Sequence, residues 1–239
     1  MRQIFRRRGP FWPALLLCLA LAGCGPARTV DAAVELPAEP KLVALTFDDG
    51  PRRATTTRLL DGLAQRGVHA TFFLIGAQIE YQQDVVQRMD REGHQIGIHT
   101  FDHVELTALN RADFSAQVDT TRALLKQTLG HNDFLLRPPY GLLDESVKQW
   151  AGCPIILWSV DPEDWKDRDA DRVVQAVVSA CRDGSIILMH DIYPESVDAA
   201  LEIVDQLHAQ GYLFCTVDEL FAARSLPLEA GQVYTNAYP

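Results

Sequence analysis

Seven short apolar runs recur along the chain, at 41–47 (KLVALTF), 70–76 (ATFFLIG), 95–100 (QIGIHT), 134–139 (FLLRPP), 154–160 (PIILWSV), 185–191 (SIILMHD) and 212–217 (YLFCTV). Most are hydrophobic nearly throughout rather than at every second position. Strands read this way when both faces of a parallel sheet are covered. Between the runs lie stretches with helical spacing. Leu59, Leu60 and Leu63 share a face within 54–67, Val85, Val86 and Met89 do so within 80–93, and further such stretches cover 111–130, 171–184 and 195–211. Gly67, Gly93, Gly130, Gly184 and Gly211 each stand just past one of them, where a helix stop is expected. Alternation over about seven units restricts the chain to an α/β fold with a parallel sheet, either a closed or nearly closed barrel or an open doubly wound sheet. No glycine-rich phosphate loop follows the first run, which disfavours the nucleotide-binding version.

The first 24 residues stand apart from this pattern. Arg2, Arg6, Arg7 and Arg8 precede an apolar stretch, FWPALLLCLALAG, of about signal-peptide length and short for a membrane span. It ends in LAGC, which resembles the lipobox of bacterial lipoproteins, and the resemblance implies a lipid on Cys24. Residues 25–40, rich in Pro and Ala, read as a tether. The expected location is the periplasmic face of the outer membrane if the host has one, and otherwise the cell-surface membrane. The formal charge is −10, and loss of residues 1–23, with four arginines and no acid, makes the remainder −14. Such a surface excludes nucleic acid as a natural partner and favours neutral or cationic substrates. Cys153, Cys181 and Cys215 match no zinc spacing. They are either three buried thiols or, outside the cytoplasm, include one disulfide, for which Cys153–Cys181 is the pair the strand order favours.

Polar residues that look out of place gather at the C-terminal ends of the apolar runs. Asp48 and Asp49 follow the first, HTFDH the third, RPPYG the fourth, DPEDW the fifth, and His190 with Asp191 the sixth. In parallel α/β folds that edge carries ligands and catalysis. Adjacent carboxylates repel unless something compensates them, and DDGP taken alone is good turn chemistry. His99 and His103, four apart, suit a transition metal, and one Asp with two His leaves coordination positions open for chemistry. A metal on one carboxylate also lowers the cost of a second beside it. Arg137, before two prolines that stiffen its loop, reads as the partner of a free carboxylate.

TFDDG, HTFDH, RPPYG, DPEDW and ILMHD, in this order and at these separations, resemble the five motifs of the polysaccharide deacetylases, the NodB-homology domain of carbohydrate esterase family 4. The resemblance covers residues 41–222, the expected catalytic domain, and leaves 223–239 as a C-terminal tail. It implies a distorted (β/α) barrel of seven or eight parallel strands with the active site at their C-terminal ends. It implies one divalent metal, Zn2+ with Co2+ or Ni2+ able to replace it, on Asp49, His99 and His103. Asp48 is then the general base toward metal-activated water, Arg137 orients Asp48, and the Tyr140 amide helps hold the oxyanion. His190 is the acid and Asp164 its partner. Trp165 and Leu188 line the acetyl pocket, Pro138 and Tyr140 contact substrate, and Thr100 braces the second-motif loop. The activity implied is hydrolysis of N-acetyl groups on an N-acetylglucosamine-containing polysaccharide of the peptidoglycan, poly-N-acetylglucosamine or chitin type, by a monomer. Acetyl-xylan esterase, small-molecule deformylase and non-catalytic carbohydrate-binding lipoprotein remain as alternatives. Loss of Arg137 is expected to do less damage than loss of Asp48.

Overall fold

A computed structural model of the chain describes residues 40–239. The expected signal peptide, the lipidated Cys24 and all but the last residue of the tether lie outside the described residues. In chain order the elements are β1 (Lys41–Asp48), α1 (Arg53–Arg66), β2 (Thr71–Leu74), α2 (Gly76–Ile79), α3 (Gln83–Arg91), β3 (Gln95–Ile98), α4 (Arg111–Leu129), β4 (Leu135–Leu136) and α5 (Glu145–Trp150). There follow β5 (Ile155–Ile156), α6 (Asp164–Asp167), α7 (Ala170–Ala180), β6 (Ser185–His190), α8 (Pro194–Ala209), β7 (Tyr212–Cys215), α9 (Val217–Ala223) and β8 (Val233–Tyr234). Among the described residues no helix is long and apolar enough to cross a membrane.

All seven expected strands form, and every strand pairing is parallel. The sheet runs β6-β1-β2-β3-β4-β5-β8. One side of β1 is shared: its C-terminal Thr46–Asp48 pair with β2, while Lys41–Ala44 pair with β7. Val160, just beyond β5, bridges in parallel to Ile187 of β6 and brings the two ends of the sheet together. The result is the distorted barrel expected, rather than an open doubly wound sheet.

The strand composition follows from this closure. Successive residues point to opposite faces, and both faces are dry. Val43, Leu45, Phe47, Phe72 and Leu74 belong to the large outer core beneath the helices, with Leu59, Leu60, Val86 and Ile203. Ala44, Phe73, Leu135, Ile156 and Ile186 form a smaller inner core with Val217, Leu220, Phe221 and Ala237. Gly97 lies opposite Phe73 in the β2–β3 register, and a Cβ there would come within 2.5 Å of the Phe73 ring. The missing side chain makes room for that ring.

The C-terminal segment is not a tail. Val233 and Tyr234 add β8 to the edge of β5, Tyr234 packs against Phe221 with ring centroids 5.1 Å apart, and Ala237 is buried in the inner core. The structural unit therefore runs through the whole of 223–239. Among the described residues Cys153, Cys181 and Cys215 are free thiols and the Cys153–Cys181 pair does not form, but only Cys153 is fully buried, Cys181 and Cys215 being half-buried. Arg122 Nη2 donates to Cys153 Sγ at 3.2 Å, and burial pushes the Cys215 thiol up to about 12.

Candidate active site

Strand register brings the polar ends together. Asp48 is the register partner of His190 on the neighbouring β6, and Thr46 that of Leu188. Side chains two apart on a strand share a face, so the four project together into the barrel mouth. The Arg137 amide donates to the Ile98 carbonyl, which sets the loop after β4 beside His99 at the end of β3. Among the described residues, five of the seven non-glycine residues with positive φ lie in these strand-end loops: Asp49 (72°), Thr100 (65°), His103 (58°), Tyr140 (61°) and Glu163 (52°). Such conformations cost energy and persist where the surroundings hold them, commonly at functional sites.

Asp49, His99 and His103 each direct one ligand atom at a common point, with all three atoms within 4.8 Å of one another. Asp49 Oδ1 lies 3.5 Å from His99 Nε2 and 3.3 Å from His103 Nε2. Tetrahedral bonds of about 2.0–2.1 Å place ligand atoms roughly 3.3–3.4 Å apart, so the spacing fits one small divalent ion. Asp49 Oδ1 is buried without a hydrogen-bond partner, as a ligand awaiting a cation is. His99 Nδ1 contacts the Arg137 carbonyl oxygen at 2.7 Å, where it donates, and this leaves Nε2 with a free lone pair. Burial pulls the His99 imidazole down against the charges of Asp48 and Asp49, which keeps it neutral, as a ligand must be. His99 and His103 meet through a loop and not along a helical turn.

Asp48 stands apart from this triad. Its Oδ1 accepts from Arg137 Nη1 at 2.8 Å, and its Oδ2 lies 3.7 Å from His99 Nε2. Arg137 is wholly buried. It also donates to Thr46 Oγ1, Ile156 O and Leu157 O at 2.7, 3.1 and 3.0 Å and lies 4.1 Å above the Phe73 ring centroid. Burial lowers the guanidinium pKa from its ordinary 12.5 while Asp48 works to raise it. Asp164, at the start of α6, receives His190 twice: the ring Nδ1 at 2.8 Å and the backbone amide at 2.9 Å. Burial opposes protonation of His190, but the hydrogen bond and charge of Asp164, with Asp48 and Asp49, outweigh it and push the imidazole up to about 9.

These groups face a cavity of about 400 Å³, to whose wall Trp165, Leu188 and Tyr140 contribute. Tyr140 and Trp165 are 63% and 47% exposed, so both present ring surface to a ligand. Pro138 is buried and does not line this cavity; the residue that meets substrate space in its loop is Tyr140. Thr100 Oγ1 has no hydrogen-bond partner, and its loop is braced instead by the Gly76 amide donating to the Thr100 carbonyl. Sequence reasoning missed Trp158 and Tyr193, which line the cavity together with Asp161 of the fourth motif. The only signal for Trp158 and Tyr193 was an aromatic within three residues of a polar cluster.

Fold and site together define a parallel α/β barrel with a three-ligand centre at the C-terminal ends of its strands. Residues 35–152 match the family described as polysaccharide deacetylase. The peptidoglycan-N-acetylmuramic acid deacetylase PdaC of Bacillus subtilis is 42% identical over 180 residues, which cover 75% of this chain and 38% of that protein. Among solved structures, a T48 deacetylase with substrate superposes with a TM-score of 0.78 at 41% identity, covering 82% of this chain and 96% of that one. A family 4 acetyl xylan esterase from Clostridium thermocellum in complex with a cobalt ion also reaches 0.78, at 30% identity, covering 82% and 98%. The chain belongs to the polysaccharide deacetylase family. It spans less than half the length of PdaC and of a Listeria monocytogenes PgdA that is 39% identical.

Proposed function

We propose that the chain hydrolyses the acetamido groups of an N-acetylated amino-sugar polysaccharide and releases acetate. The observation that carries this reading is the unequal treatment of two adjacent carboxylates. Asp49 is bare and aimed at two imidazoles, while Asp48 is held off that point by a buried arginine. Amide hydrolysis needs such a division, together with a separate proton donor for the leaving nitrogen.

Asp49, His99 and His103 would hold a divalent ion, which supplies Lewis acidity that polarises a carbonyl oxygen and acidifies water. Asp48, fixed through Oδ1, takes the proton of the attacking water on its other oxygen. The backbone amide of Tyr140, in a loop that holds a positive φ of 61°, would donate to the developing oxyanion. His190, protonated below about pH 9, gives its Nε2 proton to the departing nitrogen as the C–N bond breaks, and Asp164 keeps the ring in position. Leu188 and Trp165 provide the apolar wall for the acetyl methyl.

The native ion is zinc in this reading, with cobalt or nickel able to substitute, and the working unit is a monomer. Chelator-stripped protein should lose acetate release from N-acetylglucosamine oligomers and regain it with zinc or cobalt. Undiminished stoichiometric zinc in His103→Ala would rule these ligands out. The likeness to an acetyl xylan esterase keeps ester hydrolysis as the second reading, and acetylated xylan in the same assay separates the two.

The LAGC sequence supports a second proposal, that Cys24 is lipidated and anchors the domain through the 25–40 tether, at the periplasmic face of the outer membrane if the host has one and otherwise at the cell-surface membrane. Cys24→Ser should move the protein to the soluble fraction; a variant as membrane-bound as the parent contradicts the proposal.

A further inference from the structure

A second hollow, of about 340 Å³, adjoins the Asp49–His99–His103 centre. It is lined by Pro51, Arg52, Ile75, Gln78 and Ile192, and it shares Asp49 and His103 with the cavity that faces His190. The two hollows are therefore arms of one trough. A polymer with an acetamido group in the first arm would have room for a neighbouring sugar in the second.

Among the described residues Arg52 is the one arginine or lysine that lines either arm. The arginines near it are spoken for: Arg53, Arg58 and Arg88 reach Asp84, Asp198 and Asp61 at 2.7, 2.7 and 2.6 Å. Arg52 forms no ion pair among the described residues. Its Nη1 donates to the Ile192 carbonyl oxygen at 3.1 Å, which tethers the guanidinium to the trough wall without neutralising it. Its backbone is held as well: the Arg52 amide donates to Thr56 Oγ1 at 2.8 Å, and Thr56 in turn donates to buried Asp191. The other charged groups of the trough are the carboxylates of Asp48, Asp49 and Asp161 and, in the first arm, the imidazolium of His190, so that the second arm has Asp49 as its one acid. A tethered, uncompensated guanidinium beside them is a receptor for a carboxylate, which it binds through its planar fork.

We propose that Arg52 binds a carboxylate carried by the sugar next to the one deacetylated, and so directs the enzyme to acidic N-acetylated glycans, of which the lactyl ether of muramic acid is the simplest case, over neutral ones. The proposal rests on the deacetylase reading. It runs against the expectation, drawn from net charge, that a neutral or cationic substrate suits the chain best, and the test below decides between them.

The test compares acetate release by the full metal-loaded chain from three probes: peptide-free glycan strands of alternating N-acetylglucosamine and N-acetylmuramic acid, the same strands with the lactyl carboxylate methyl-esterified, and peptide-bearing strands. The first two isolate the lactyl carboxylate; the third, where that group is amidated, reports carboxylates of the peptide. The parent should prefer an acid-bearing probe to the ester. In Arg52→Ala the acid-to-ester ratio of kcat/KM should fall on the order of tenfold, mainly through KM. Arg58→Ala, which removes an equal charge outside the trough, should leave the ratio unchanged. Binding of the same probes to an Asp48→Asn background, read by calorimetry, should show the same loss of preference without turnover. A parent that does not prefer acid, a ratio unmoved by Arg52→Ala, or an equal fall in Arg58→Ala overturns the proposal while leaving the deacetylase reading intact. A parent inactive on all three probes and on chitin oligomers sinks both.

Discussion

Arg137 joins the two halves of the site through different atoms. Its side chain fixes Asp48, and its carbonyl oxygen fixes the tautomer of His99. Complete burial also changes what its loss would do. Arg137→Ala strands the Asp48 carboxylate in a dry interior and empties a space above Phe73, so destabilisation of about 3–5 kcal/mol is expected. That is a loss of stability, separate from the smaller loss of turnover expected from sequence, and urea denaturation of the variant measures it; a midpoint equal to the parent's contradicts the role. Asp191 makes a second prediction. Burial pushes its carboxyl up to about 7, with the charge of Asp49 adding to this and the Thr56 hydrogen bond and His190 opposing it. Folding thus favours the neutral acid over an ordinary value near 3.8. The stability it contributes is complete below that value and is lost as pH rises through about 7. Asp191→Asn cannot ionise, so its Tm relative to the parent should climb between pH 4 and pH 8. A constant difference across that range contradicts the assignment.

At the scale of elements, the inner core is closed by pieces that hold little sequence signal. Residues 227–239 contribute β8 and the buried Ala237, and Tyr234 Oη accepts from the Glu229 amide at 2.9 Å. Deleting them opens the inner core, at a cost of roughly 2–4 kcal/mol from the apolar surface exposed; thermal melting that matches the parent would show the segment to be dispensable. The seven long strand runs were legible because a barrel covered on both faces demands unbroken hydrophobicity. β8 was not, since a two-residue strand at a sheet edge needs no hydrophobic run. β4 and β5 are also two residues each, shorter than FLLRPP and PIILWSV imply, because both runs leave the ladder to deliver Arg137 and Trp158 to the mouth. The helix stops were sound where backbone geometry enforces them: Gly67 and Gly130 cap α1 and α4 in the left-handed conformation.

For the molecule as a whole, the site was readable to the extent that it is built from charged residues at strand ends. Asp48, Asp49, His99, His103, Arg137, Asp164 and His190 all converge on the mouth, because parallel register levels the strand termini. Trp158, Tyr193 and Arg52 were not legible, since their place depends on which loop folds over which, and an aromatic or a lone arginine in a loop has many uses. Net charge is a coarse guide to substrate for a similar reason: it averages over the surface, whereas a ligand meets the local arrangement of charge in a trough. The central claim is that two neighbouring carboxylates divide one task, and metal content measured beside acetate release on Asp48→Asn and Asp49→Ala tests it most directly. Asp48→Asn should bind one divalent ion per chain as the parent does while turnover falls roughly 10²–10⁴-fold, and Asp49→Ala should lose both. Near-parental turnover in Asp48→Asn, or a full complement of metal in Asp49→Ala, would contradict the division.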